Sequence, residues 1–236
     1  HPAVATSYSY IGQIYFAQND YSKALDYFKK SLKLDLSFFG ENHPSVASGY
    51  YNIGYVYFAQ GDYSKALEYF EEVLKIRLSV YGENHSRVAS VYNDIGEIYS
   101  VQGDDFKALD YFKKSLKIVL SVYGENHSQV SSIYDHIGEI YFAQKDYSKA
   151  LYYFEESLKI RLSLFGENHP EVALSYYSIG SLYIIQGDKS KALNYYEKSL
   201  KIRLSVYGEN HPLTKEIMDL INVANSKVLQ SPETTK

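Results

Sequence analysis

The pentapeptide Gly40-Glu41-Asn42-His43-Pro44 returns at positions 82, 124, 166 and 208, each start 42 residues after the last, with Ser for Pro at 86 and 128. A period this regular means stacked copies of one small unit. Such an array grows along a line, each copy packing on its neighbours, so a single repeat domain over residues 1–228 is expected to lack one central core. The copies run over residues 2–43, 44–85, 86–127, 128–169 and 170–211, and a capping helix is expected over 212–228. Residues 229–236, with Ser231-Pro232 and Thr234-Thr235, read as a disordered tail.

The second copy shows the plan of the unit. Val46, Ala47, Tyr50, Ile53, Gly54 and Tyr57 fall at helical spacing on one face. Gln60-Gly61-Asp62 breaks the pattern, Gly for the turn and Asp to cap the next helix. A second helical period through Ala66, Leu67, Phe70, Val73, Leu74 and Leu78 ends at Gly82, read as a C-terminal cap. Pro44 suits the first turn of a helix. Gly12, Gly54, Gly96, Gly138 and Gly180 stand mid-helix, where Gly costs roughly 1 kcal/mol against Ala, so a neighbouring helix is expected to come close. Ala24, Ala66, Ala108, Ala150 and Ala192 are the expected small partners. In the final helix Leu213, Ile217, Leu220, Ile221 and Val228 are expected to form the apolar side, with Asn222 at the Gly position.

Tyr50-x-x-Ile53-Gly54-x-x-Tyr57 followed by Ala66-x-x-x-Phe70 resembles the tetratricopeptide repeat signature. The 42-residue form, with Gly-x-x-His-Pro-x-Val-Ala between units, resembles the repeats of kinesin light chains and their relatives. The resemblance implies an all-α, right-handed superhelical solenoid of helix pairs with a C-terminal capping helix. It also implies that the first helix of each pair lines a concave groove that holds a peptide.

Composition narrows the function. A formal charge of −4 argues against nucleic acid, whose phosphates want a basic face. There is no Cys, hence no disulfide framework, thiolate site or Cys nucleophile. No apolar run of 18 residues or signal-peptide pattern occurs, so no membrane partner and a cytoplasmic location are expected. The start at His1-Pro2 reads as a fragment cut at a repeat boundary. No phosphate loop, zinc-protease helix or nucleophile elbow is present, and no enzyme or cofactor is expected. Metal ligands must converge within about 2 Å of one ion. His43, His85, His127, His169 and His211 sit one per loop, so capping or loop packing is expected of them and no metal. Asn84-His85-Ser86 and Asn126-His127-Ser128 match a glycosylation pattern by chance of the Pro-to-Ser change. Glu71-Glu72 and Glu155-Glu156, ahead of Lys75 and Lys159, read as surface ion partners. Arg77, Arg161 and Arg203 are expected on the outer surface near helix C-termini, where cations suit the dipole.

Projected onto the inner face, the candidate groove residues are Tyr10 and Gln13 in the first copy, then Tyr51, Asn52, Tyr55 and Phe58. Asn93, Asp94 and Glu97 follow in the third copy, Asp135, His136 and Glu139 in the fourth, and Tyr177 in the fifth. Their neighbours Ser9, Phe16, Ser100, Phe142, Ser178, Ser181 and Ile184 complete that face. Such a groove is aromatic at its N-terminal end, where Tyr51, Tyr55 and Phe58 lie off the packing stripe, and acidic in the middle. The resemblance to chaperone-binding arrays stops here, because their groove Lys and Arg are replaced by Ser, Tyr, Asp and Glu. The acids equally oppose the acidic peptides that kinesin light chains favour. A protein or peptide partner with basic and aromatic residues is the leading expectation, held by a non-catalytic scaffold. The alternatives are a homo-oligomer joined through the N-terminal end near Tyr8 and Tyr27, or a regulatory segment of a larger enzyme or motor.

Overall fold

A computed structural model of the chain describes residues 2–226. The expected tail 229–236 and the last two residues of the expected capping helix, including Val228, lie outside them. Among the described residues the regular elements are eleven α-helices and no strand. In order they are α1 (Pro2–Ala17), α2 (Tyr21–Phe39), α3 (Pro44–Ala59), α4 (Tyr63–Tyr81), α5 (Ser86–Val101), α6 (Asp105–Tyr123), α7 (Ser128–Ala143), α8 (Tyr147–Phe165), α9 (Pro170–Ile185), α10 (Lys189–Tyr207) and α11 (Pro212–Ser226). The chain divides at Val122/Tyr123 into two compact units, α1–α6 and α7–α11.

Local chemistry sets each boundary. At the start of α5 the His85 Nδ1 accepts from the Arg87 N–H at 3.1 Å, while its ring stacks on Tyr81 at 4.5 Å. His43, His127, His169 and His211 make the same bond, and Phe39, Tyr123, Phe165 and Tyr207 receive their rings. These histidines therefore satisfy orphan helix donors, the work that Ser or Asp does elsewhere. The second helices begin at Asp caps: Asp62 accepts from the Lys65 N–H at 3.3 Å and pairs with its ammonium at 2.6 Å. Each second helix stops where a Gly takes backbone angles closed to other residues, as at Gly82 with φ 77 and ψ 173.

In the first unit Ile53, Val56, Phe70, Val73, Val91, Ile95 and Ile98 interleave from α3, α4 and α5 into a continuous core. In the second, Phe154, Leu158, Val172, Ile179 and Leu182 do the same around α8 and α9. Helix pairs are also tied by serine: Ser31 donates to the Ala5 carbonyl at 2.7 Å, Ser115 to Ala89 at 2.8 Å and Ser199 to Ala173 at 2.7 Å. The close approach at the mid-helix glycines is present, but its main partner is an aromatic ring. A Cβ at Gly138 would lie 2.7 Å from the Phe154 ring, and one at Gly180 2.7 Å from Tyr196. The recurrent alanines are fully buried beside these rings. In α11 the buried residues are Thr214, Ile217 and Ala224, whereas Leu213 is exposed: Thr214 takes the position of the buried Val46, Val88, Val130 and Val172 and donates to the Arg203 carbonyl at 3.4 Å.

Candidate functional site

The first unit gathers its expected groove residues from three successive first helices. Gln13 of α1, Tyr51, Asn52 and Tyr55 of α3, and Asp94 and Glu97 of α5 line one cavity of about 250 Å³, with Phe16 and Phe28. A second cavity of about 290 Å³ shares Gln13, Phe28 and Asn52 with it and adds Tyr10 and Asp35. Both lie within α1–α5. Tyr10 is 63% exposed and Tyr55 42%, so these two aromatics present apolar surface to solvent. Tyr51, expected to stand free of the packing, is instead packed, 5.4 Å from the Phe70 ring with the Arg77 guanidinium 5.3 Å over its face. Phe58 is half-buried between Tyr55 and Tyr63, at the margin of the cavity rather than in it. Asn93 turns back on its own helix, donating to Glu97 Oε1 at 2.6 Å. Asn52 donates to Ser9 Oγ at 3.3 Å.

Asp94 is the electrostatic centre of this group. Burial pushes its carboxyl up to about 7, and the neighbouring Glu97 adds to the rise; the Tyr51 hydroxyl, hydrogen-bonded to it, and Arg77 act in the opposite direction. Its Oδ2 is buried without a hydrogen-bond partner. Burial likewise holds the Tyr51 phenol above its usual range. A buried acceptor lacking a donor costs about 1–3 kcal/mol, and a donor or cation from a bound chain would relieve it.

The second unit holds the other candidates in a different state. Asp135 is not a free acid: its Oδ2 lies 2.7 Å from Arg161 Nη2. Arg161 also meets Glu171 at 3.1 Å and the Ser175 hydroxyl at 2.8 Å, and only 4% of it is exposed. Burial raises the Asp135 carboxyl and Arg161 lowers it. Glu139 is exposed, 3.9 Å from His136. The Tyr177 hydroxyl donates to Glu216 Oε1 at 3.1 Å under the Arg203 guanidinium.

The arginines correct the sequence reading most directly. Arg161 and Arg203 are buried, and Arg77 donates at 2.7 Å to the Arg87 carbonyl and at 2.9 Å to Ser90 Oγ. Arg203 reaches the Leu213 carbonyl at 2.6 Å and Glu216 at 3.4 Å. Each clamps its own helix pair to the next first helix. In the first copy the same position is Asp35, only 9% exposed, whose carboxyl burial raises and His43 lowers. The signal was available: positions 35, 77, 119, 161 and 203 are related by the 42-residue period and hold Asp, Arg, Val, Arg and Arg, so the charge reverses at the first.

Paired helices repeated around Gly–aromatic contacts define an all-α repeat scaffold. The family profile described as tetratricopeptide repeat matches residues 45–121, 87–163 and 129–205, and a further match covers 5–38. The chain belongs to the tetratricopeptide repeat family, whose members generally serve as non-catalytic protein-interaction scaffolds. Among solved structures it is similar to BtubC (BKLC) from P. vanneervenii, with TM-score 0.78 and 24% identity over 89% of this chain and 84% of that one. It is also similar to a Podosopora anserina protein of the kinesin light chain type with nearly identical TPR-like repeats, with TM-score 0.73 and 17% identity over 88% of this chain and 98% of that one. A Rap protein complexed with competence and sporulation factor is similar at TM-score 0.65 and 18% identity, over 92% of this chain and 64% of that one. No significant match was found among curated proteins. No helix of the described residues is long and apolar enough to cross a membrane.

Proposed function

We propose that the chain is a scaffold that binds a peptide segment carrying basic and aromatic residues along the α1, α3 and α5 face of its first unit. The observation that supports this reading is the convergence of Gln13, Tyr51, Asn52, Tyr55, Asp94 and Glu97 on one cavity around an acceptor atom with no donor. A Lys or Arg of the partner meets Asp94 and Glu97, where low solvent access strengthens the attraction. An aromatic residue lies against exposed Tyr55, as anchoring contacts at interfaces commonly do. Asn52 supplies an amide to the peptide backbone. By analogy, the similar Rap protein is complexed with competence and sporulation factor.

Selection of a randomised peptide library on the intact chain, followed by calorimetry of the enriched peptides, tests the reading. Enrichment of basic and aromatic residues is expected, with binding weakened about tenfold or more in Asp94→Asn/Glu97→Gln and in Tyr55→Ala. Equal binding by these variants would sink it. Asp135 is left untouched in this design, because a change there strands Arg161.

A second reading draws on α1. Val4 is 44% and Ile14 57% exposed, whereas the period-related Val46, Val88, Val56 and Ile98 are fully buried against neighbouring helices. Self-association through this face predicts a mass that rises with concentration and is returned to that of one chain by Ile14→Lys.

A further inference from the structure

The second cavity of the first unit differs in chemistry from the one around Asp94. It is lined by Asp35 of α2, Ser9 and Gln13 of α1, and Ser45, Ser48 and Gly49 of α3. The polar groups that line it include the Asp35 carboxylate, an acceptor, and the Ser31 and Ser48 hydroxyls, whose own protons go to the Ala5 and Pro44 carbonyls at 2.7 and 3.1 Å and whose oxygens are left as acceptors. Among the described residues Asp35 has no hydrogen bond or ion pair, and it is nine-tenths buried.

Three of the four other copies show what this arrangement holds; the third has buried Val119 at the equivalent position. One period on, Arg77 occupies the Asp35 position and gives its guanidinium to the Arg87 carbonyl and Ser90 Oγ, the counterparts of Ser45 and Ser48. Arg203 does the same with the Leu213 carbonyl and Glu216. Arg161 meets Ser175, the counterpart of Gly49, and Asp135, the counterpart of Ser9. In the first copy two of these surroundings change at once. An acid replaces the arginine and Ser9 stands where Tyr51, Asp135 and Tyr177 stand elsewhere, whereas at Gly49, where Val91 and Ser175 stand in other copies, Leu32 fills the place, 3.0 Å from where a Cβ would lie. Acceptors remain while the cation, and the bulk at the Ser9 position, are removed.

We propose that this cavity is a socket for the arginine side chain of a bound peptide, which supplies from outside the guanidinium that three other copies carry within. The proposal rests on the peptide-binding reading above and deepens it, since the two cavities share Gln13, Phe28 and Asn52 and one extended chain spans both. Arginine is favoured over lysine because the acceptors are spread over two helices. A planar fork of five donors reaches several of them at once, which a single ammonium does not.

The test uses the whole chain, isotope-labelled for NMR, titrated with acetyl-arginine-amide, acetyl-lysine-amide and acetyl-citrulline-amide at millimolar concentration. The arginine probe is expected to shift the Ser48 and Gly49 amides, the lysine probe to bind about tenfold more weakly, and the neutral citrulline probe to leave them unmoved. Asp35→Asn is expected to abolish the response. Asp35→Arg is expected to abolish it and to raise the melting midpoint, as its own guanidinium reaches Ser45 and Ser48. Should Asp35→Arg fail to fold, Asp35→Asn still decides. An arginine response that survives Asp35→Asn, or none in the wild type, overturns the socket. The peptide-binding reading is scored separately, by whether library peptides depend on Asp94, Glu97 and Tyr55. Peptides that do so yet contain no arginine overturn the socket alone.

Discussion

Arg161 Nη2 lies 2.7 Å from Asp135 Oδ2, the two groups being 5% and 19% exposed in their side chains. The pair ties α8 to its own α7, and the Arg161 bonds to Glu171 and Ser175 carry the tie on to α9. Removing one partner of a buried pair leaves the other charge stranded, typically at about 3–5 kcal/mol. Glu171 remains in Asp135→Ala, so a loss of about 2–4 kcal/mol is expected in denaturant unfolding. Arg161→Met/Asp135→Leu should recover most of it, because the desolvation of both charges disappears together. A change no larger than that of exposed Glu139→Ala, expected within about 0.5 kcal/mol, would show the tie to be idle.

What the sequence made legible was local or periodic. The 42-residue spacing, the Asp and His caps and the Gly that ends each second helix depend on neighbours a few residues away. Asp94, Glu97, Asp135 and Glu139 look alike on that scale, being acids on one face of equivalent helices. Their states are decided by residues of other helices: Arg161 neutralises Asp135, while Asp94 is left with a phenol and a buried bare oxygen. The same distance hid the arginines, which dipole reasoning placed outside. Comparing equivalent positions by charge sign, rather than apolar positions alone, would have found both Asp35 and the clamps.

The two kinds of glycine contact should respond differently to Gly→Ala. A Cβ at Gly138 meets the Phe154 ring at 2.7 Å, and overpacking of this kind costs about 1–3 kcal/mol. At Gly54 the nearest atom is Tyr69 Cβ at 3.1 Å, and the gain in helix propensity, roughly 1 kcal/mol, offsets a smaller clash. Melting curves should therefore place Gly54→Ala near the wild type and Gly138→Ala clearly below it. The opposite order would contradict the packing.

Lys145 stands in the turn before α8 with φ 62, where three other copies have Gly at φ 77 to 83. A side chain in this left-handed region costs roughly 1–2 kcal/mol, partly offset by the extra freedom that Gly gives the unfolded chain. Lys145→Gly is expected to stabilise by about 0.5–1 kcal/mol. Asn19, at φ 59, should gain less from the same change because Asn tolerates this conformation. Equilibrium denaturation of the two single variants measures both.

Asp94 gives stability a slope near neutral pH. Its folded pKa of about 7 stands above the ordinary aspartate value, so between about pH 4 and 7 the folded chain holds a proton that the unfolded chain has released. Stability must fall as pH rises through that window and level off above it. Asp94→Asn removes this component, so its stability relative to the wild type should climb by roughly 2–4 kcal/mol from about pH 4 to 8. The caps work at lower pH and with opposite sign. The Lys23 and Lys65 partners hold Asp20 and Asp62 below the usual range, so their contribution is complete above that range and lost on further acidification. A basic partner acts on the Asp94 equilibrium directly. By favouring the charged carboxylate it should expel the Asp94 proton, so binding of a selected peptide should tighten from about pH 6 to 8. Calorimetry near pH 6.5 in two buffers of different ionisation heat should register up to about one proton released. Proton uptake, or release unchanged in Asp94→Asn, would remove Asp94 from the binding face.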